Sequence, residues 1–134
     1  MTAAGGAPAV LRVLIVEDNE DAAEIMGELI KRRGHDVRIA HDGETGLSAA
    51  RAFRPQVIFL DIGLPDTDGY AVARRLRAED LAGEMLVALT GYGEAEDRRR
   101  AQEAGFDRHL IKPVDPDALL AVFDGAGSST PGAA

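Results

Sequence analysis

Glu17, Asp18, Asp61, Thr90 and Lys112 each stand at or just past the end of a short apolar run, and together they supply three carboxylates, a hydroxyl and an ammonium. Carboxylates held a few ångströms apart repel by about 1 to 4 kcal/mol per pair, from water to near-surface dielectrics, and a bound divalent cation relieves that repulsion. All-oxygen ligation favours a hard ion, and partial protein ligation that leaves room for water and phosphate suits Mg²⁺. Of 15 basic side chains only Lys31 and Lys112 are lysines, so an arginine-rich chain uses a compact point charge at position 112, which agrees in sign with an anionic ligand. Taken singly, these residues have plainer readings. Loop carboxylates are usually solvated or cap helices, and Thr90 alone is a strand-end threonine. Asn19, Glu20 and Asp21 read as caps of a first helix, Asp66 and Asp68 as turn residues between Pro65 and Gly69, His35 and His41 as surface loop residues, and Arg98 to Arg100 as a solvated face.

The elements that must position these groups follow from the apolar pattern. Short apolar runs at Leu11 to Val16, Asp36 to Ala40, Gln56 to Leu60, Met85 to Thr90 and Arg108 to Ile111 alternate with longer segments of helical period. That is the signature of a parallel sheet covered by helices on both faces. A first helix presents the stripe Ala22, Ile25, Met26, Leu29 and Ile30 and stops at Gly34. A second is predicted from Gly43 to Phe53 and a third from Gly69 to Asp80, with Tyr70, Val72, Ala73 and Leu76 inward. The last begins with Asp115 as N-cap and Pro116 at its first position, and buries Leu119, Leu120 and Phe123. The fourth, Glu94 to Ala104, offers only alanines as apolar residues and should be the least firmly docked. In an open parallel sheet, ligands sit beyond the carboxyl ends of the strands, which is where the chemical residues fall.

With 134 residues and a formal charge of -8, from 23 acidic against 15 basic side chains, the chain reads as one acidic domain. The acidity argues against direct binding of nucleic acid or anionic membrane. There is no cysteine, which excludes disulfides, thiolate nucleophiles and cysteine-ligated zinc. No apolar run approaches the roughly 18 residues of a membrane span, and the start lacks a signal pattern, so a cytoplasmic location is expected. Residues 1–9 and 125–134 are small and Gly/Pro/Ser-rich and are expected to be disordered tails around a domain at 10–124.

VEDNED around Asp18, FLDIGLPDTDGY around Asp61, ALTGYG around Thr90 and HLIKPV around Lys112 follow one another across Val10 to Asp124, and in them the chain resembles the receiver domain of two-component response regulators. The resemblance implies a doubly wound, flavodoxin-like α/β fold: five parallel strands in the order 2-1-3-4-5, flanked by five helices. It implies transfer of a phosphoryl group from a histidine kinase's phosphohistidine, or from a small acyl phosphate, to one aspartate. By the same resemblance Asp61 is the phosphoacceptor. Asp18, Asp61 and the Gly63 backbone carbonyl ligate Mg²⁺, with Glu17 acting through water. Thr90 and Lys112 contact phosphoryl oxygens, and the Lys112-Pro113 bond is cis. Thr90 and His109 form the switch pair, His109 standing where Tyr or Phe is commoner, so the switch should respond to pH between about 5.5 and 7.5. Gly63 and Tyr92 flank the acyl phosphate and bear on its lifetime.

The partners implied are a histidine kinase or a histidine phosphotransfer protein, and a downstream partner on the fourth helix, fifth strand and fifth helix. The IGLP, LTGYG and GFDRHLIKPV wording is similar to receivers associated with hybrid sensor kinases. The expected role is that of a signalling module rather than an enzyme, catalysing only its own phosphorylation and dephosphorylation. A Mg²⁺-dependent aspartyl-phosphate phosphohydrolase and an unphosphorylated pseudo-receiver scaffold stay open as alternatives. So does the choice between a stand-alone receiver and part of a longer protein.

Overall fold

The computed structural model describes residues 10–91 and 95–126, so the expected tails lie outside the described residues except for Gly125 and Ala126. Strands and helices alternate: β1 (Arg12–Val16), α1 (Glu20–Arg32), β2 (Asp36–Ala40), α2 (Gly43–Phe53), β3 (Val57–Asp61), α3 (Gly69–Ala78), β4 (Met85–Thr90), α4 (Ala95–Ala104), β5 (Arg108–Ile111) and α5 (Pro116–Ala126). The five strands make one parallel sheet in the order β2-β1-β3-β4-β5. Strand order reverses between β1 and β3, so the crevice for a ligand opens beyond the carboxyl ends of those two strands.

The central strands are apolar without interruption because both faces are buried. Val13, Ile15, Val57, Phe59, Val87 and Leu89 face α1 and α5, packing with Ala23, Met26, Ile30, Leu119, Val122 and Phe123. Their neighbours Leu14, Val16, Ile58, Leu60, Leu86 and Ala88 face the other way, onto Leu47, Ala50, Val72, Ala73 and Leu76 of α2 and α3 and onto Ala101 and Ala104 of α4. Four helices start on side-chain caps. Asn19, Asp42, Asp68 and Asp115 accept from the amides of Ala22, Thr45, Ala71 and Ala118 at 2.8–3.0 Å, each contributing about 1 kcal/mol. Gly34, with φ +93°, turns the chain out of α1 in the left-handed conformation that only glycine adopts freely.

Two helix faces differ from the sequence expectation. On α1 the buried residues are Ala23, Met26, Gly27 and Ile30, while Ile25 is 62% exposed. The helix is turned toward Gly27, where a Cβ would stand 3.3 Å from Ile39 Cδ1, so the close approach to β2 is made by a residue without hydrophobic signal. On α5, Val122 is buried with Leu119 and Phe123, and Leu120 is half-buried. On α4, among its described side chains, Ala101 and Ala104 are buried. Arg98 to Arg100 are exposed, as read from the sequence, and the Arg100 guanidinium also lies 4.4 Å over the ring of Tyr70.

Candidate functional site

Asp61 is the last residue of β3, paired in register with Leu89 of β4. Its side chain turns into the crevice at 4% exposure, one oxygen accepting from the Gly63 amide at 3.0 Å and the other 3.1 Å from Lys112 Nζ. Helix α3 begins directly against it. A Cβ at Gly69 would lie 2.5 Å from the Asp61 carbonyl oxygen, so glycine alone permits this packing. Glu17 continues β1, donating its amide to the Ala40 carbonyl at 2.9 Å. Its carboxylate is 1% exposed, accepts from the Asn19 amide at 3.0 Å and meets Lys112 Nζ at 3.0 Å. Asp18, next in the chain, stands exposed at the rim.

Lys112 follows β5, and its amide donates to the Thr90 carbonyl at 2.7 Å, which ties together the ends of β4 and β5. The Lys112-Pro113 peptide is cis. Thr90 ends β4 at 6% exposure. A cavity of about 380 Å³ is lined by Asp18, Asp61, Gly63, Thr90 and Lys112 together with Tyr70.

Oxygens of Glu17, Asp18 and Asp61 all lie within 4.8 Å of one another. Burial pushes the Glu17 carboxyl above its ordinary value, reinforced by the charge of Asp61 and opposed by the Asn19 amide and by Lys112. For Lys112, burial favours the neutral amine, and the hydrogen bonds to Glu17 and Asp61 outweigh it and hold the ammonium above its ordinary value. Three clustered carboxylates served by one lysine form an oxygen-donor set that fits a hard divalent cation.

Five of the residues singled out from sequence, Asp18, Asp61, Gly63, Thr90 and Lys112, therefore line one cavity, and Glu17 sits behind them against Lys112. His109 is elsewhere. It pairs with Ala88 in the sheet and lines a separate cavity of about 230 Å³ with Arg98 and Phe106, where burial and then the charge of Arg98 hold its imidazole below the ordinary value. Tyr92 lies outside the described residues. Sequence reasoning missed Tyr70 as a wall of the cavity, having read it only as core. It also missed Asp66 and His41. Asp66 accepts from the amides of Gly43 and Glu44 at 2.8 and 3.1 Å, and His41 Nδ1 donates to the Glu17 carbonyl at 2.9 Å. His35, read as a surface residue, accepts from the Leu11 amide at 3.0 Å and stacks on Phe123 at 4.8 Å.

Residues 13–124 match the family described as response regulator receiver domain. The DNA-binding dual master transcriptional regulator RpaA of Synechocystis is 32% identical over 111 residues, which are 82% of this chain and 46% of that protein. The DNA-binding response regulator MtrA of Mycolicibacterium paratuberculosis is 34% identical over 110 residues, 82% of this chain and 48% of MtrA. The chain thus spans about half the length of these curated relatives. A crystal structure from Chloroflexus aurantiacus, named as a response regulator, superposes with a TM-score of 0.78 at 28% identity, covering 88% of this chain and 98% of that one. The relatives correct one expectation. Net acidity was taken to exclude direct nucleic-acid binding, yet proteins built around this same domain are named for binding DNA. A charge of -8 describes this chain's own surface and does not decide what a protein containing such a domain binds. Among the described residues, no helix is long and apolar enough to cross a membrane.

Proposed function

Since this chain belongs to the response regulator receiver domain family, whose business is phosphoacceptor signalling, we propose that Asp61 is the residue that takes the phosphoryl group. The observation carrying this assignment is the setting of its carboxylate: nearly buried at the floor of the crevice, 3.1 Å from the Lys112 ammonium and within 4.8 Å of the Glu17 and Asp18 oxygens. An Asp61 oxygen forms a bond to phosphorus while the bond from phosphorus to a histidine nitrogen, or to the acyl oxygen of a small acyl phosphate, breaks and its electron pair leaves with that atom. Lys112 is already shared between Asp61 and Glu17, and it pairs with a phosphoryl oxygen once the group arrives. Thr90, in the same cavity, donates its hydroxyl to another oxygen. Asp18, Asp61 and the Gly63 carbonyl, with Glu17 through water, would hold Mg²⁺, which supplies charge neutralisation to the transferring group. Positioning and charge complementarity therefore do the catalytic work.

The donor in this reading is a histidine kinase or histidine phosphotransfer protein, met in the cytoplasm. The IGLP, LTGYG and GFDRHLIKPV segments support a place beside hybrid sensor kinases. The assignment is tested by an NMR titration with Mg²⁺ and then beryllofluoride, a mimic of the phosphoryl group. Saturable, Mg²⁺-dependent shifts centred on Asp61, Thr90 and Lys112, and absent from Asp61→Asn, are expected. Shifts that survive in Asp61→Asn would refute it.

A further inference from the structure

The turn between β2 and α2 carries none of the residues assigned to phosphoryl transfer, yet it is bonded to both loops that do. On one side it grips Glu17. The Ala40 carbonyl accepts from the Glu17 amide at 2.9 Å, and the His41 ring, one residue on, donates from Nδ1 to the Glu17 carbonyl at 2.9 Å. A carbonyl can only accept, so Nδ1 carries the proton. The backbone of Glu17 is thereby held on both flanks by consecutive residues, Ala40 at the end of β2 and His41 in the turn that follows. On the other side, the Asp66 carboxylate reaches from the loop after β3 to accept from the amides of Gly43 and Glu44 at the start of α2. That loop is closed on itself by a bridge between Gly63 and Asp68 and by the Gly69 amide donating to the Ile62 carbonyl at 2.7 Å, so holding Asp66 holds Gly63.

Helix capping alone does not call for Asp66. Asp42 already serves as the N-cap of α2, accepting from the Thr45 amide at 2.8 Å and the Thr45 hydroxyl at 2.6 Å. Asp66 adds a link across 23 residues of chain. Gly43 leaves room for it, because a side chain there would collide with Thr67 Cγ2 and stand 3.2 Å from Asp66 Oδ1.

We propose that His41 and Asp66 are positioning residues that brace the β2–α2 turn between the Glu17 loop and the Gly63 loop, and so fix the spacing of the oxygens that receive the divalent cation. The proposal rests on the reading of Glu17, Asp18, Asp61 and Gly63 as the cation's ligands. Groups behind a metal's direct ligands typically govern about 10- to 100-fold in affinity.

The test is Mg²⁺ affinity by calorimetry on the full chain, with urea unfolding of each metal-free variant alongside. His41→Ala and Asp66→Ala should each raise the Mg²⁺ Kd about 10-fold. His41→Asn, whose amide nitrogen falls at the place of Nδ1, should restore the Kd to within about 2-fold of the native chain. Arg51→Ala breaks the paired contact with Glu79, outside the turn and both loops, so it should lower stability slightly and leave the Kd unchanged. An unchanged Kd in His41→Ala and Asp66→Ala, no rescue by His41→Asn, or an equal loss of affinity in Arg51→Ala would each overturn the brace. A native chain that binds no Mg²⁺ would overturn the ligand assignment and the brace together, whereas failure of the brace alone leaves native binding intact.

Discussion

Replacing Gly69 by alanine places one methyl group against the backbone of the phosphoacceptor itself. The new Cβ would stand 2.5 Å from the Asp61 carbonyl oxygen and 2.7 Å from Ile62 Cα, against an ordinary contact of at least 3.4 Å. Both neighbours are backbone and neither can swing aside, so α3 must retreat by about 0.9 Å or the end of β3 must bend. Such overpacking costs about 1–3 kcal/mol, and alanine's better helix propensity returns at most about 1 kcal/mol of it. A net loss of about 1–2 kcal/mol lowers Tm by several degrees in a domain of this size. The larger effect is chemical. A displacement near 1 Å at a reacting group can cost about 100-fold in rate, so phosphorylation of Asp61 by acetyl phosphate should slow by about 10- to 100-fold. Gly63→Ala is the control for stability, since a Cβ there meets nothing within 4 Å, and its urea midpoint should match the native one. Urea unfolding and initial phosphorylation rates measured together decide the matter. A Gly69→Ala chain with native stability and native rate would refute the claim that α3 is seated against Asp61.

Lys112→Met removes the cation shared by Glu17 and Asp61; the metal-free protein should lose about 1–3 kcal/mol, less than for a fully buried pair because the lysine is one-third exposed, and millimolar Mg²⁺ should recover part of it in urea unfolding. His35 is held below its ordinary pKa by burial and then by the charge of Arg33, so the unfolded chain takes up its proton first as pH falls. Its contribution is complete above the unfolded value of about 6.5 and is lost as pH drops through the folded value, and the acid limb of stability should flatten in His35→Gln. Arg100→Ala removes the guanidinium stacked on Tyr70, worth about 0.5–1 kcal/mol at an exposed site, so amide exchange in α4 should quicken about 2- to 5-fold while that in α1 stays as it is.

The alternation of strands and helices was legible because a doubly covered parallel sheet writes its central strands as unbroken apolar runs, and Met85 to Thr90 falls where it was read; the edge strand Arg108 to Ile111 also falls where it was read, though it is only partly buried. The rim was legible for the same reason, since fixing the strand ends fixes which polar residues stand just beyond them. The rotation of α1 was not. Its contact with β2 is made at Gly27, which carries no hydrophobic signal, and the apolar stripe through Ile25 is wider than the face that is buried. Nor could sequence show His41 bonded to Glu17, Asp66 to Gly43, or His35 stacked on Phe123. These partners lie more than 20 residues apart; the first two pairs meet because the sheet brings β1, β2 and β3 side by side, and His35 meets Phe123 because α5 packs beside α1. The stacking of the exposed Arg100 on Tyr70 was equally hidden, because a guanidinium over a ring leaves no period in the chain.

The central claim, that Asp61 accepts a phosphoryl group in a metal-dependent reaction, is tested most directly by intact-protein mass spectrometry after incubation with acetyl phosphate and Mg²⁺, beside Asp61→Asn and an EDTA control. A single phosphoryl adduct that appears in the native chain with Mg²⁺ and in neither control is the predicted result. An adduct of equal yield in Asp61→Asn would contradict it.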